Sequence, residues 1–115
     1  MQNNTDMERV TDIATLQRLQ ADGALAILFG GENCKVCKSL QPRLKLMLEQ
    51  DFPDMRAVYV DCEVSPEICA QYGVFSLPVV KAFIEGMMIA EEVGVFSIGE
   101  LRNTLDRPYS VWQAS

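Results

Sequence analysis

Hydrophobic positions along this chain alternate between short continuous runs and longer stretches with helical spacing. Ile13, Leu16 and Leu19 repeat at three, with Thr11 or Asp12 ahead of them as a cap and Asp22-Gly23 behind as a stop, which predicts a short helix. Leu25 to Phe29 is an unbroken apolar run ended by Gly30-Gly31, the pattern of a strand buried on both faces. From Cys34 to about Gln50, Cys37, Leu40, Leu44, Met47 and Leu48 line one face of a long helix. Pro42 sits inside that helix without an N–H and is expected to kink it. Phe52-Pro53-Asp54 reads as a turn into a second buried strand, Arg56 to Asp61, which carries Ala57, Val58, Tyr59 and Val60.

Ser65-Pro66-Glu67 opens a short helix, with Ser65 as cap and proline in the first turn, ending near Tyr72-Gly73. Val79 to Ile84 and Met87 to Val93 are strands joined across Glu85-Gly86, so they form a hairpin. Ser97 caps a last helix through Ile98, Leu101 and Leu105, which Arg107-Pro108 should end. A strand–helix–strand crossover gives a parallel pair and the hairpin adds an antiparallel edge. The expected class is α/β, a mixed sheet with helices on both faces. Residues 1–115 read as a single domain, with 1–7 and 107–115 as loosely packed ends. The pattern assigns no role to Trp112, the only tryptophan.

Composition narrows the function classes. The chain has 115 residues, 10 Lys+Arg and 16 Asp+Glu, for a net charge of −6. An acidic chain without a basic tail does not suit nucleic acid, where phosphate contacts supply much of the affinity. No apolar run reaches the ~20 residues a bilayer crossing needs. Asp6, Glu8, Asp12 and Asp22 are out of place in a secretory leader. The cytoplasm is therefore the expected compartment, with neither a nucleic-acid nor a membrane partner.

In a reducing compartment, cysteines are read for chemistry rather than as staples. Cys34 and Cys37 stand two residues apart where a strand ends, two glycines turn and a helix begins. The unsatisfied N–H groups of a helix start carry roughly half a positive charge and favour a thiolate. Cys34, at the start, suits an attacking thiol; Cys37, one turn in on the apolar face, suits a shielded resolving one. Lys35 is the cation near enough to lower the pKa of Cys34, whereas Arg43 and Lys45 read as a solvated helix face. A four-cysteine zinc site would need Cys62 and Cys69 as its second half, but their spacing exceeds the usual two to four residues. No metal is expected. Cys62 and Cys69 read as two buried or half-buried thiols; a bridge stays possible because Pro66 places Cys62 ahead of the helix.

The segment Leu28 to Lys38 resembles the thioredoxin family. Cys37-Lys38 with Pro42 matches its second cysteine, lysine and helix proline, and Tyr72-Gly73-Val74 leading to Leu77-Pro78-Val79 resembles the approach to its cis-proline. Glu85-Gly86 and the run from Val93-Gly94 to Leu101 extend the likeness, which covers roughly Thr11 to Asp106. It implies a thioredoxin fold, with a mixed central sheet of four to five strands, and a cis Leu77-Pro78 bond. It also implies a thiol–disulfide oxidoreductase without bound cofactor, serving cell redox homeostasis. Protein disulfides would be its substrates, and a reductase or thiol pool would recycle it. Substrate would lie beside Leu77 and Pro78, with Val36 in a docking patch that Val74 and Phe75 could share.

Several residues depart from the family. Asn33 replaces the usual tryptophan, and Lys35-Val36 replaces Gly-Pro. The family's buried acid falls at Leu28, and its lysine partner near Ala57. These losses leave a second reading open, a thioredoxin-fold binding module or assembly chaperone with little redox activity.

Overall fold

The computed structural model describes residues 7–115. The elements are β1 (Glu8–Arg9), α1 (Ile13–Ala21), β2 (Ala24–Gly30), α2 (Lys35–Asp51), β3 (Met55–Asp61), α3 (Pro66–Gln71), β4 (Val79–Ile84), β5 (Met87–Val93) and α4 (Ile98–Gln113). The five strands make one mixed sheet in the order β1-β3-β2-β4-β5. β1 and β2 run parallel to β3, while β4 pairs antiparallel with β2 and β5 with β4.

Alternation along β2 divides the core into two layers. Leu25, Ile27 and Phe29 point to the side where Leu16 of α1 and Ile68 and Cys69 of α3 pack. Ala24, Ala26 and Leu28 point to the other side, against Leu40, Leu44 and Leu48 of α2 and Leu101 and Leu105 of α4. Ala82 and Ala90 also lie on that second side, where small side chains leave room for two long helices and the Phe52 ring. At the β4–β5 turn, Glu85 (φ 49°) and Gly86 (φ 84°) are both left-handed, as a two-residue hairpin of matching twist requires. Glu85 also accepts a hydrogen bond from the Gly23 N–H at 2.6 Å, tying the hairpin to the entry of β2.

Three expectations need correction. The expected loose end does not reach Met7: β1 pairs with β3, Met7 and Val10 are buried, and Arg56 holds Glu8 at 2.7 Å. Residues 1–6 of the expected loose end lie outside the described residues. Nor do Arg107-Pro108 end the last helix, which runs to Gln113 with Pro108 inside it. A helix-interior proline costs ~3 kcal/mol, but here the apolar face continues beyond it. Tyr109 is buried, its ring meets Phe52 edge-on at 5.0 Å, and its hydroxyl accepts from the Asp54 N–H at 2.9 Å. Trp112 packs on Tyr109 at 5.7 Å, which gives the tryptophan its role. Ser65 precedes α3 as expected but makes no side-chain cap bond; the nearby turn is held by Asp61, whose carboxylate accepts from the N–H groups of Glu63 and Val64.

Candidate active site

Parallel strands release their following loops at the same edge of a sheet. The loops after β2 and β3 therefore lie side by side, and the chemistry collects there. Cys34 is the N-cap of α2, and its Sγ accepts from the Cys37 N–H at 3.2 Å. That sulfur takes the place of the capping oxygen most helices use, and it faces the donor end of the helix dipole. Cys34 is half-buried, whereas Cys37 is completely buried on the α2 core face. The two sulfurs are bonded, with Cα atoms 5.3 Å apart.

The Leu77-Pro78 peptide is cis. Leu77 is half-buried and Pro78 buried, and a Cβ placed on Gly31 would lie 3.3 Å from Leu77 Cδ1, so this loop rests against the cysteine loop. The Pro78 carbonyl accepts from the Gly94 N–H at 2.8 Å, bringing the segment after β5 to the same place. A groove of about 250 Å³ opens there between α2 and residues 94–96, lined by Lys35, Val36 and Arg43 among others. Val36 and Val95 are exposed and give this groove an apolar rim, and Phe75, in the loop before Leu77, is exposed as well. Val74 does not join it: it is 6% exposed and packs in the core below α3.

The charge around Cys34 is less one-sided than the run of lysines in α2 suggests. Glu63, from the loop after β3, accepts from the Glu32 N–H at 2.9 Å and from Asn33 Nδ2 at 3.0 Å. Lys38 lies 3.8 Å from Glu32. Carboxylates therefore border the cysteine loop on its β3 side, and Lys35 and Arg43 lie on its groove side.

Cys62 and Cys69 are not free thiols, because their sulfurs are bonded, with Cα atoms 5.7 Å apart. Seven residues of helix would separate them by ~10 Å, but α3 starts only at Pro66 and the chain before it folds back. The Cys62 N–H donates to the Gly30 carbonyl at 2.8 Å, which ties the start of this bridge to the end of β2, while Cys69 packs in the α1/α3 layer. The strand register brings a further correction: Ala26 pairs with Ala57, so the residue opposite Leu28 is Tyr59. Glu63 and Tyr59 escaped the sequence reading. The signal that could have found them is the shared exit of β2 and β3 at one sheet edge.

The thioredoxin family model matches residues 8–107. The chain belongs to the thioredoxin family. It is similar to the thioredoxin of Mycoplasmoides gallisepticum, with 31% identity over 100 residues that cover 86% of this chain and 99% of that one. Thioredoxin 1 of Synechococcus elongatus is 28% identical over 100 residues, covering 85% and 92%. The crystal structure of oxidised mitochondrial thioredoxin 3 from Saccharomyces cerevisiae shares the fold, with a TM-score of 0.74 at 24% identity over 84% of this chain and 91% of that one. With its bonded cysteine pair at the start of α2, this thioredoxin-family protein is a thiol–disulfide oxidoreductase. The binding-module reading is not favoured. Proteins of this family act on protein disulfides and are recycled by reductases.

Proposed function

We propose that Cys34 attacks the substrate disulfide and that Cys37 resolves the mixed disulfide so formed. The difference in exposure between the two sulfurs carries this reading: Cys34 is half-exposed at a helix start, and Cys37 is sealed one turn inside. The Cys34 thiolate is favoured by the Cys37 N–H and by the dipole of α2, with Lys35 as the adjacent cation. An extended substrate segment lies along Leu77-Pro78, pairs with its backbone, and rests an apolar side chain on Val36. A disulfide reductase or a low-molecular-weight thiol pool then reopens the Cys34–Cys37 bridge. The cytoplasm suits this cycle, since its thiol pools keep such a dithiol reduced.

The test is covalent trapping from a cell extract, with Cys62 and Cys69 replaced by serine. Cys37→Ser should retain protein partners that dithiothreitol releases, and Cys34→Ser should retain far fewer. Equal trapping by both variants, or none by Cys37→Ser above the variant lacking both thiols, overturns the assignment of roles.

A further inference from the structure

A resolving thiol sealed from solvent has to lose its proton before it can attack, and neither Leu28 nor Ala57 can assist it. Tyr59 can. Its side chain is 3% exposed, on the same side of the sheet as Leu28, Leu40 and Leu44. A Cβ built on Gly30 would lie 2.6 Å from the Tyr59 hydroxyl and 3.0 Å from Cys37 Cβ. The hydroxyl and Cys37 Cβ are thus at most about 5.6 Å apart, so the phenol and the Cys37 side chain pack against the same glycine. Gly30 has an ordinary strand conformation, so what demands glycine there is the space this phenol occupies. Among the described residues no hydrogen bond uses the Tyr59 hydroxyl.

Resting on the reading of Cys37 as the resolving thiol, we propose that the Tyr59 hydroxyl, from the strand position opposite Leu28, stabilises the Cys37 thiolate as a hydrogen-bond donor. In the mixed disulfide, Cys37 gives its proton to solvent and its sulfur forms a bond to Cys34 Sγ. The bond from Cys34 to the substrate sulfur breaks, and the substrate leaves as a thiolate that takes a proton from water. Two electrons pass from the dithiol to the substrate disulfide, with no other oxidant or reductant. Tyr59 keeps its own proton throughout.

The surroundings suit a donor rather than a base. Burial, first, and then the carboxylates of Asp61, Glu32 and Glu63 push the phenol above its ordinary pKa, against the opposing pull of Arg9, whose guanidinium lies 5.2 Å from the ring centre. The group is therefore protonated wherever the enzyme works. From α2 the facing titratable group is Cys37 itself, with Lys38 further out beside Glu32. The three carboxylates oppose a buried thiolate, so a neutral donor is the help such a thiolate needs.

The experiment is stopped-flow reaction of the reduced full chain with a nitrobenzoate aryl disulfide, on a Cys62→Ser/Cys69→Ser background. A first release of coloured thiolate reports attack by Cys34 and a second reports resolution by Cys37. Tyr59→Phe keeps the ring and removes only the hydroxyl. The first release should stay within twofold of the parent. The second should slow about tenfold at pH 7, its pH midpoint rising by about one unit, the usual scale for losing a hydrogen bond to a charged group. The deficit should vanish at alkaline pH, where Cys37 ionises unaided. A loss of packing alone would not shift a midpoint, so an unchanged pH profile of the second release, or equal slowing of both releases, overturns the proposal. A second release that persists in Cys37→Ser instead overturns the parent reading of Cys37, and this inference with it.

Discussion

The carboxylate of Glu63 hydrogen-bonds the backbone N–H of Glu32 at 2.9 Å, across the gap between the loops that follow β3 and β2. One exposed side chain thus fixes the approach to Cys34 and sets a negative charge beside it, opposite in sign to Lys35 and the helix dipole. The reactivity of Cys34 is a balance between those two influences.

Removing the charge alone tests that balance. The alkylation midpoint of Cys34, measured on a Cys37→Ser background, should lie below the ~8.5 of a free cysteine. Glu63→Gln should lower it further by a few tenths of a unit, and the effect should fade near 1 M salt, where the Debye length is only ~3 Å. A midpoint that rises in Glu63→Gln would mean that Glu63 acts by loop geometry rather than by charge.

The Cys62–Cys69 bridge closes a loop with a sequence separation of seven residues. Chain-entropy arguments put its stabilisation at about 2.5 kcal/mol. Replacing both residues by serine should lower the Tm of the oxidised protein by several degrees, with the Cys34–Cys37 bridge unaffected. Peptide mapping without reductant should recover a fragment pair joined through Cys62 and Cys69; two free thiols in the oxidised protein would contradict the pairing.

Burial raises the pKa of both Tyr59 and Tyr72 above the ordinary value of 10.0. An unfolded chain releases those protons near pH 10 while the folded chain retains them, so ionisation favours unfolding from there upward. The contribution is complete below pH 10 and is lost as the pH rises through the raised folded values. Urea midpoints should accordingly be level from pH 8 to 9.5 and fall beyond 10. Tyr59→Phe/Tyr72→Phe should flatten that fall.

Tyr109 holds the far end of α4 to the turn before β3. Tyr109→Phe removes the bond to the Asp54 N–H and should cost about 1 kcal/mol in chemical denaturation. Tyr109→Ala also strips the edge contact with Phe52 and should cost 3 kcal/mol or more. Equal costs for the two variants would show that the ring contributes nothing.

Most elements were legible in the sequence because their signals are local. The unbroken apolar run from Leu25 to Phe29, the i and i+4 spacing of Leu40, Leu44 and Leu48, and the caps at Thr11 or Asp12 and at Ser97 each need only a few neighbouring residues to be read. Cys34 and Cys37 were legible for the same reason, since a strand end, two glycines and a helix start mark them within ten residues. What escaped depended on partners far away in the chain. β1 is two residues long, too short for any period, and exists because β3 offers it an edge. Pro108 should have stopped α4 on propensity alone, and is tolerated because Tyr109 and Trp112 find aromatic partners beyond it. Cys62 and Cys69 meet because the chain turns back between β3 and α3. Glu63 reaches Asn33, and Tyr59 reaches the space beneath Gly30, because two parallel strands end at the same edge of one sheet. Sequence alone determined the redox pair and the scaffold that presents it. The charges around that pair and the placement of Tyr59 beneath it were decided by register and loop proximity, which are relations between distant segments that no local pattern encodes.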